Sequence, residues 1–367
     1  MNVFDALNIF YREDVISDFL KNCFEDSRYF LNQFLASAGV KIDNNYNYKV
    51  INRMGLGKPI GTPDMVIYET EKQVPKIIVI ENKLGSGEGI QQTIRYESPM
   101  AQERILRKLN LEAAEFHFIF LTLDTTVIQG SSKFIGIHYS SFLNDNLNVN
   151  NASLNRLLED FKAKLSEFYI PVSNPIKALT EGITMDSVQR KICWQNILIE
   201  KFKADKHFDI EWGEVGGAGR NNFLFLISKP NWKSQKSFEI TGLEESFYIH
   251  IDTYINLLGE SGDGIKDIGI RFETNPYKPR NQIQDIPGYD KFIKSKNNFA
   301  TAFNRRLQEV VPEAREKRTS LLTTTVPVNQ SSLEDSIDDY YKKVKLIETV
   351  TDETISEIKK NTYCIKH

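Results

Sequence analysis

The 367-residue sequence has few cysteines, no long apolar run and no strong excess of either charge. Its three cysteines (Cys23, Cys193 and Cys364) lie far apart, so neither a disulfide framework nor a zinc knuckle is expected. No apolar run approaches the roughly 20 residues of a membrane-spanning helix. The first ten residues also lack the cationic start of a signal peptide. We therefore expect a cytoplasmic protein that does not contact a membrane.

Histidine patterns and net charge exclude further classes of protein. The five histidines form no HExxH or other paired metal-binding pattern, and no Gly-x-Ser-x-Gly elbow occurs. Lys and Arg number 46 against 49 Asp and Glu, which gives a formal net charge of −3. Such a protein has no overall attraction for a phosphate backbone, so binding to nucleic acid requires local basic patches.

Hydrophobic periodicity predicts a first domain over residues 1–170 with the element order α-β-β-β-α-β and a mixed sheet. Helices are expected over Glu13–Leu35, Ile90–Leu109 and Leu154–Phe168, with Pro171 and Pro175 closing the last one. Strands are expected at Tyr48–Ile51, Asp64–Tyr68, Lys76–Lys83, Phe116–Leu121 and Phe134–Tyr139.

The second half predicts an α+β domain over residues 176–310, followed by a linker and a helical tail over residues 319–367. The expected elements are helices at Ser187–Lys206 and Ser295–Val311, and strands at Phe223–Ser228, Phe247–Asp252 and Lys266–Phe272. Thr319–Pro327 is interpreted as the linker. The polar helix that follows from Ser332 is interpreted as solvated, with a role in oligomerisation or partner binding as the alternative.

Three charged residues suggest chemistry in the first domain. Glu81 and Lys83 are two residues apart, so both side chains leave the same face of one strand. If Thr70–Pro75 is the connecting loop, the hairpin register places Asp64 directly opposite Glu81. Residues directly opposite each other have Cβ atoms about 4.5–5.5 Å apart. Two carboxylates at this distance can hold one magnesium ion, and the ammonium of Lys83 would lie beside the ion.

The strand that carries these charges is expected to be central, because Ile77–Ile80 makes both of its faces apolar. Charges at the end of a buried strand are costly unless they are paired or bind an ion. A Glu-x-Lys pair alone usually marks a solvated strand face. Its combination with Asp64 at hairpin spacing favours a functional site.

These motifs resemble the PD-(D/E)xK nuclease superfamily, in particular a bacterial branch with an Ile-Glu-Asn-Lys and Gln-x-x-Arg-Tyr signature. Ile80-Glu81-Asn82-Lys83 and Gln92 to Tyr96 carry the resemblance, which spans about residues 10–168 and implies a restriction-endonuclease-like core. It implies that Asp64, Glu81 and the Asn82 main chain bind Mg²⁺, for which Mn²⁺ would substitute. Lys83 would be the catalytic lysine.

The resemblance also points to Glu13 and Gln92 as catalytic residues and to Tyr96 as a nucleic-acid contact. Gln92 and Tyr96 are one helical turn apart, but Gln91 and Arg95 have the same spacing, so residue spacing alone leaves both glutamines open. The family signature favours Gln92. Glu13 would be an outer ligand of the metal or its water; its alternative role is to stabilise the first turn of its helix.

A basic, aromatic segment in the second domain is a candidate for contact with nucleic acid. Lys278–Arg306 contains seven Lys or Arg residues against two Asp. The candidate phosphate contacts are Lys291, Lys294, Lys296, Arg305 and Arg306. The alternative is a solvated helix whose aromatic residues belong to the core.

We therefore expect a magnesium-dependent endonuclease that hydrolyses phosphodiester bonds of DNA. By resemblance it would act in bacterial defence against phage or other foreign DNA. A catalytically inactive scaffold with a nuclease fold and an RNA-directed nuclease are the alternatives. The C-terminal region would serve a homo-oligomer or a defence-system partner.

Overall fold

The computed structural model describes residues 2–124, 126–127, 129–144, 146–214, 222–256, 264–317, 320–324 and 332–364. The chain forms two compact units, Met1–Ser173 and Asn174–His367, and each is described by itself. Among the described residues, no helix combines the length and apolar character needed to cross a membrane.

The first unit is a five-stranded sheet covered by helices. Its helices are α1 (Val3–Ala6), α2 (Glu13–Asp26), α3 (Arg28–Ser37), α4 (Gln92–Glu97), α5 (Pro99–Leu109) and α6 (Ala152–Ser173). Its strands are β1 (Tyr48–Asn52), β2 (Met65–Glu69), β3 (Lys76–Lys83), β4 (Glu115–Thr122) and β5 (Phe134–His138), and a 3₁₀ helix follows at Tyr139–Leu143. The strand order is β1-β2-β3-β4-β5. The predicted mixed sheet is confirmed, because the first three strands pair antiparallel and the last three pair parallel.

Serine caps divide two of the predicted helices. The helix expected over Glu13–Leu35 is interrupted at Ser27, whose side chain accepts a hydrogen bond from the main-chain nitrogen of Phe30 and starts α3. Ser98 likewise caps α5, and Pro99 occupies its first position. The helix predicted over Leu154–Phe168 is longer than expected, because α6 continues through Pro171 to Ser173.

β3 is the central strand of this sheet, and the structure confirms its predicted bounds. Ile77, Ile78, Val79 and Ile80 are all at most 2% exposed, because helices and neighbouring strands cover both faces. Parallel pairing with β4 runs to the last residue of the strand, Lys83. The charged residues at this end of β3 are therefore held on a rigid part of the fold.

The second unit is a six-stranded antiparallel sheet with helices. Its helices are α7 (Pro175–Thr180), α8 (Ser187–Phe202), α9 (Phe238–Thr241), α10 (Arg280–Ile283), α11 (Tyr289–Val310) and α12 (Leu333–Cys364), with 3₁₀ helices at Pro230–Trp232 and Leu243–Glu245. Its strands are β6 (Asp209–Glu214), β7 (Asn222–Ser228), β8 (Tyr248–Asn256), β9 (Gly264–Glu273), β10 (Arg315–Lys317) and β11 (Ser320–Thr324). The strand order is β10-β11-β9-β8-β7-β6.

Two predictions for the C-terminal part are wrong. Within the expected linker, Ser320–Thr324 is β11 and pairs with both β9 and β10; Thr319 and residues 325–327 lie outside the described residues. The expected solvated tail is α12, which packs against α11. Tyr340 is fully buried, and its hydroxyl lies 2.6 Å from that of Thr253 on β8.

His250 on β8 belongs to a buried ionic cluster in this sheet. It is 4% exposed, with Nδ1 2.7 Å from Oδ1 of Asp252 and Nε2 3.3 Å from Oε2 of Glu273. Arg271 donates from Nε to Oδ2 of Asp252 at 3.1 Å. Burial lowers the pKa of His250, but the hydrogen bonds to Asp252 and Glu273 outweigh burial and raise this pKa to about 9.

We expect His250 to make the stability of the second unit depend on pH. A histidine with a raised pKa stabilises the folded state fully below about pH 6.5, and this contribution is lost as the pH rises through about 9. The loss corresponds to about 3 kcal/mol in the free energy of unfolding. Denaturant unfolding of the wild type and of His250→Gln can be followed by tryptophan fluorescence, since all three tryptophans lie in this unit. A stability difference between the two proteins that is the same at both ends of this pH range would contradict the prediction.

Candidate active site

The start of β2 and the end of β3 bring Asp64 and Glu81 together. β2 and β3 pair antiparallel with Met65 opposite Ile80, which is the predicted register. Asp64, the residue before β2, accepts a hydrogen bond on Oδ2 from the main-chain nitrogen of Asn82 at 2.8 Å. The register prediction is therefore confirmed, and both carboxylates lie at one end of the strand pair.

Lys83 lies between carboxylates. Its Nζ is 2.8 Å from Oε1 of Glu81 and 3.3 Å from Oε2 of Glu13. Glu81 is 1% exposed and Lys83 is 8% exposed. Together with Asp64, three carboxylates face one ammonium group, so negative charge at this end of β3 is only partly compensated.

This imbalance changes the acid–base properties of the site. Burial, followed by the charge of Asp64, raises the pKa of Glu81 from 4.5 to about 8. Burial also raises the pKa of Asp64. For Lys83, burial lowers the pKa, but the surrounding carboxylates, Glu81 first, outweigh burial and raise it. Two adjacent carboxylates, Glu81 buried and Asp64 half-buried, whose charged forms are disfavoured make an arrangement that a divalent cation stabilises.

The carboxylate of Glu81 provides the test of whether a metal ion fits. Both oxygens are buried; Oε1 pairs with the Lys83 ammonium at 2.8 Å, and among the described residues no donor has hydrogen-bonding geometry toward Oε2. Lys83 therefore pairs with one oxygen of this carboxylate and leaves the other without a donor. Carboxylate oxygens without donors are suitable ligands for a hard cation such as Mg²⁺.

The side-chain ligands available for such a cation are few. In the described ranges, no three His, Cys, Asp or Glu side chains form a ready-made metal-binding group. The residues present fit a cation held by Asp64 and Glu81, with the Asn82 main chain and water or substrate oxygens completing the coordination. Magnesium commonly keeps several waters and binds through one or two carboxylates, so this limited set is sufficient.

Glu13 reaches the site from the first turn of α2. Its Oε1 accepts hydrogen bonds from the Ser86 hydroxyl at 2.8 Å and from the main-chain nitrogen of Leu84 at 3.3 Å. Its other oxygen pairs with Lys83. The structure thus places Glu13 beside the catalytic candidates, where it holds the lysine and the chain that leaves β3. Its predicted role as an outer ligand stays a prediction.

Gln92 and Tyr96 face the same site from α4. Gln92 donates from Nε2 to the Tyr96 hydroxyl at 3.1 Å and accepts on Oε1 from the main-chain nitrogen of Gly89 at 3.1 Å. Gln91 is exposed, so the geometry favours the glutamine that the signature indicates. Burial raises the pKa of Tyr96, and the charges of Glu81 and Asp64 raise it further.

Tyr96 is only 1% exposed, unlike the open aromatic side chains on which nucleic-acid bases stack. Its ring packs in the hydrophobic core of the first unit, so no ring face is free for a base to stack on. Gly61 lies against this ring at φ +109°, and a Cβ there would be 3.4 Å from the hydroxyl. Tyr96 therefore lies beside the carboxylates with its hydroxyl bound by Gln92, and its predicted contact with nucleic acid stays a prediction.

The predicted basic segment Lys278–Arg306 contains α10 and most of α11 in the second unit, and its five candidate phosphate contacts all lie on α11. Its aromatic residues Phe292, Phe299 and Phe303 are buried, as the core alternative predicts. Lys291, Lys294 and Arg305 are exposed. Burial lowers the pKa of Lys296, although Glu273 raises it. Arg306 pairs with Glu353 at 3.4 Å and Glu357 at 2.5 Å on α12. Three of the five cations therefore remain open to solvent for phosphate contact.

One set of contacts around the site has no counterpart in the sequence prediction. Glu88 accepts hydrogen bonds from Thr93, through both its main-chain nitrogen and its hydroxyl at 2.7 Å, and from the Gly130 nitrogen at 2.6 Å. These bonds fix the start of α4, which carries Gln92 and Tyr96. A glutamate just before a helix is the one sequence feature that could have indicated this contact.

Comparisons of this chain with protein-family models, curated proteins and solved structures find no match.

Proposed function

We propose that this protein is a magnesium-dependent endonuclease of the PD-(D/E)xK type with a restriction-endonuclease-like core in its first unit. The observation that carries the proposal is the pair Asp64 and Glu81 beside Lys83 at the end of a buried strand, where the buried Oε2 of Glu81 has no hydrogen-bond donor among the described residues. A purely structural cluster would also supply a donor to this oxygen, since a buried polar atom without a partner is costly. Phosphodiester hydrolysis by a bound cation requires such ligands.

Asp64, Glu81 and the Asn82 main chain would hold Mg²⁺, or Mn²⁺ in its place. When bound, the cation supplies activation of water and neutralisation of charge at the phosphate. Lys83 can donate from its ammonium group to the attacking oxygen or to the phosphoryl oxygens as negative charge develops on them. Glu13 orients that ammonium at 3.3 Å. The Gln92–Tyr96 pair borders the same carboxylates and would orient the substrate.

The proposed substrate, its source and the cellular compartment rest on the motif resemblance alone. DNA is the proposed substrate, foreign or phage DNA is the proposed source, and the bacterial cytoplasm is the proposed compartment. Exposed cations on α11, Lys291, Lys294 and Arg305, would contact phosphates without reading bases. The second unit would also carry any contact with a second copy or a defence-system partner.

The experiment is an incubation of the full chain with supercoiled plasmid, linear duplex, single-stranded DNA and RNA, each with Mg²⁺ and with a chelator. We expect the closed plasmid and the linear duplex to be cut only with Mg²⁺, because an endonuclease needs no strand end. Cleavage of RNA alone would replace the proposed substrate. Absence of cleavage in every sample would contradict the proposed activity.

A further inference from the structure

Tyr139 places a single hydroxyl inside an aromatic cluster. The residue is fully buried at the start of the 3₁₀ helix that follows β5, with its ring 5.6 Å from Phe142 and 5.8 Å from Phe161, measured between ring centroids. Its hydroxyl donates to Oδ1 of Asn82 at 2.6 Å. Phenylalanine would fill the same ring space, so the hydroxyl matters for what it holds.

The Asn82 side chain is held at its other end by α2. Nδ2 donates to the Ser17 hydroxyl at 3.1 Å and to the main-chain oxygen of Glu13 at 3.3 Å. A main-chain carbonyl can only accept, so this contact fixes which end of the amide faces α2 and leaves Oδ1 for Tyr139. The amide is 2% exposed and is bound from both sides.

Alternation along β3 places this amide on the face opposite Glu81 and Lys83. The main chain of Asn82 nevertheless belongs to the site, because its nitrogen donates to Asp64 at 2.8 Å. The Asn82 side chain is held on one face of β3, and it therefore fixes the orientation of the Asn82 main-chain N–H that donates to Asp64. Losing the hydroxyl would leave Oδ1 buried without a donor, and the amide would have to move to recover one.

We propose that Tyr139, assisted by Ser17, is a positioning residue that sets the main chain of Asn82 and through it the carboxylate of Asp64. The catalytic consequence rests on the proposed nuclease function; the effect on Asn82 does not. Tyr139 acts through the Asn82 amide, to which its hydroxyl donates.

The first test uses Tyr139→Phe and amide hydrogen exchange by NMR, with no metal or substrate. We expect the main-chain amide of Asn82 to exchange about tenfold faster relative to that of Val79 on the same strand. Tyr48→Phe is the matched control, because its hydroxyl also donates to a buried backbone group, the Phe24 oxygen, away from the site. In that variant both amides should change together. An unchanged ratio in Tyr139→Phe would overturn the proposal.

Ser17→Ala provides a second variant that removes the clamp from the α2 side. It should raise the same exchange ratio, and combining it with Tyr139→Phe should add less than the two separate effects, because both act on one amide. Full additivity would contradict a shared route through Asn82.

The second test is plasmid cleavage. Tyr139→Phe should lower kcat about tenfold with KM unchanged, and Tyr48→Phe should change neither. If the wild type cuts no nucleic acid, the proposed function fails, and the exchange ratio still decides whether Tyr139 positions Asn82. If the wild type cuts and Tyr139→Phe matches Tyr48→Phe in both measurements, the positioning role alone is wrong.

Discussion

Glu81→Gln is expected to abolish Mg²⁺-dependent cleavage, with kcat at least about a thousandfold lower, which corresponds to about 4 kcal/mol in the activation barrier. The change removes one of two side-chain ligands and keeps the shape of the residue. Asp64→Asn should have the same effect for the same reason. Plasmid cleavage at saturating Mg²⁺, together with calorimetric titration of Mg²⁺ alone, measures both losses.

Folding of Glu81→Gln should be preserved. The Glu81 carboxylate is buried with a raised pKa, so a neutral amide removes a desolvation cost, and Lys83 keeps Glu13 as a partner. Glu69→Gln is the matched control: Glu69 is another buried carboxylate of the first unit, paired with Lys72 at 2.8 Å. It should lose stability and retain cleavage. Undiminished cleavage by Glu81→Gln would remove the proposed site.

The geometry around Asp64 and Glu81 could be predicted because it depends on local rules. Hairpin pairing and two-residue alternation fix which side chains share a face, and the register with Met65 opposite Ile80 follows from the loop length. The expected strands of the first unit are all found, with their ends displaced by at most one residue. Short buried strands with turn residues between them leave few alternatives.

The clamp on Asn82 could not be predicted, because its partners come from distant parts of the chain. Ser17 precedes Asn82 by 65 residues and Tyr139 follows it by 57. Nothing in the sequence around Tyr139 distinguishes its hydroxyl from that of any other core tyrosine. Only the folded arrangement of α2, β3 and the turn after β5 brings the three residues together.

The C-terminal part was mispredicted for a different reason. Thr323 and Thr324 resemble a polar linker, yet β-branched residues also suit a strand, and pairing with β9 decides the outcome. In α12 the many acidic residues made the helix look solvated, although one of its faces is apolar and buried. The residues of this face are Ile337, Tyr340, Val344 and Ile347. Their helical spacing was sufficient to predict a packed face, and composition alone was misleading.

Lys83→Met should lower kcat by about a hundredfold to a thousandfold while Mg²⁺ binding is retained or strengthened. The ammonium group lies 2.8 Å from Glu81, so it repels a cation and competes with it for that carboxylate. Without metal, the variant leaves the buried Glu81 and the half-buried Asp64 with no adjacent ammonium group, and its melting temperature should fall. Added Mg²⁺ should therefore raise that temperature more than in the wild type.

Lys76→Met is the control for this variant, since Lys76 lies at the other end of the same strand and donates to the main-chain oxygen of Lys41. It should keep both cleavage and the wild-type response to Mg²⁺. Calorimetry and thermal melts with Mg²⁺ alone separate binding from catalysis. A folded Lys83→Met protein that no longer binds Mg²⁺ would make Lys83 part of the binding site. Cleavage at the wild-type rate would show that the ammonium group has no part in the reaction.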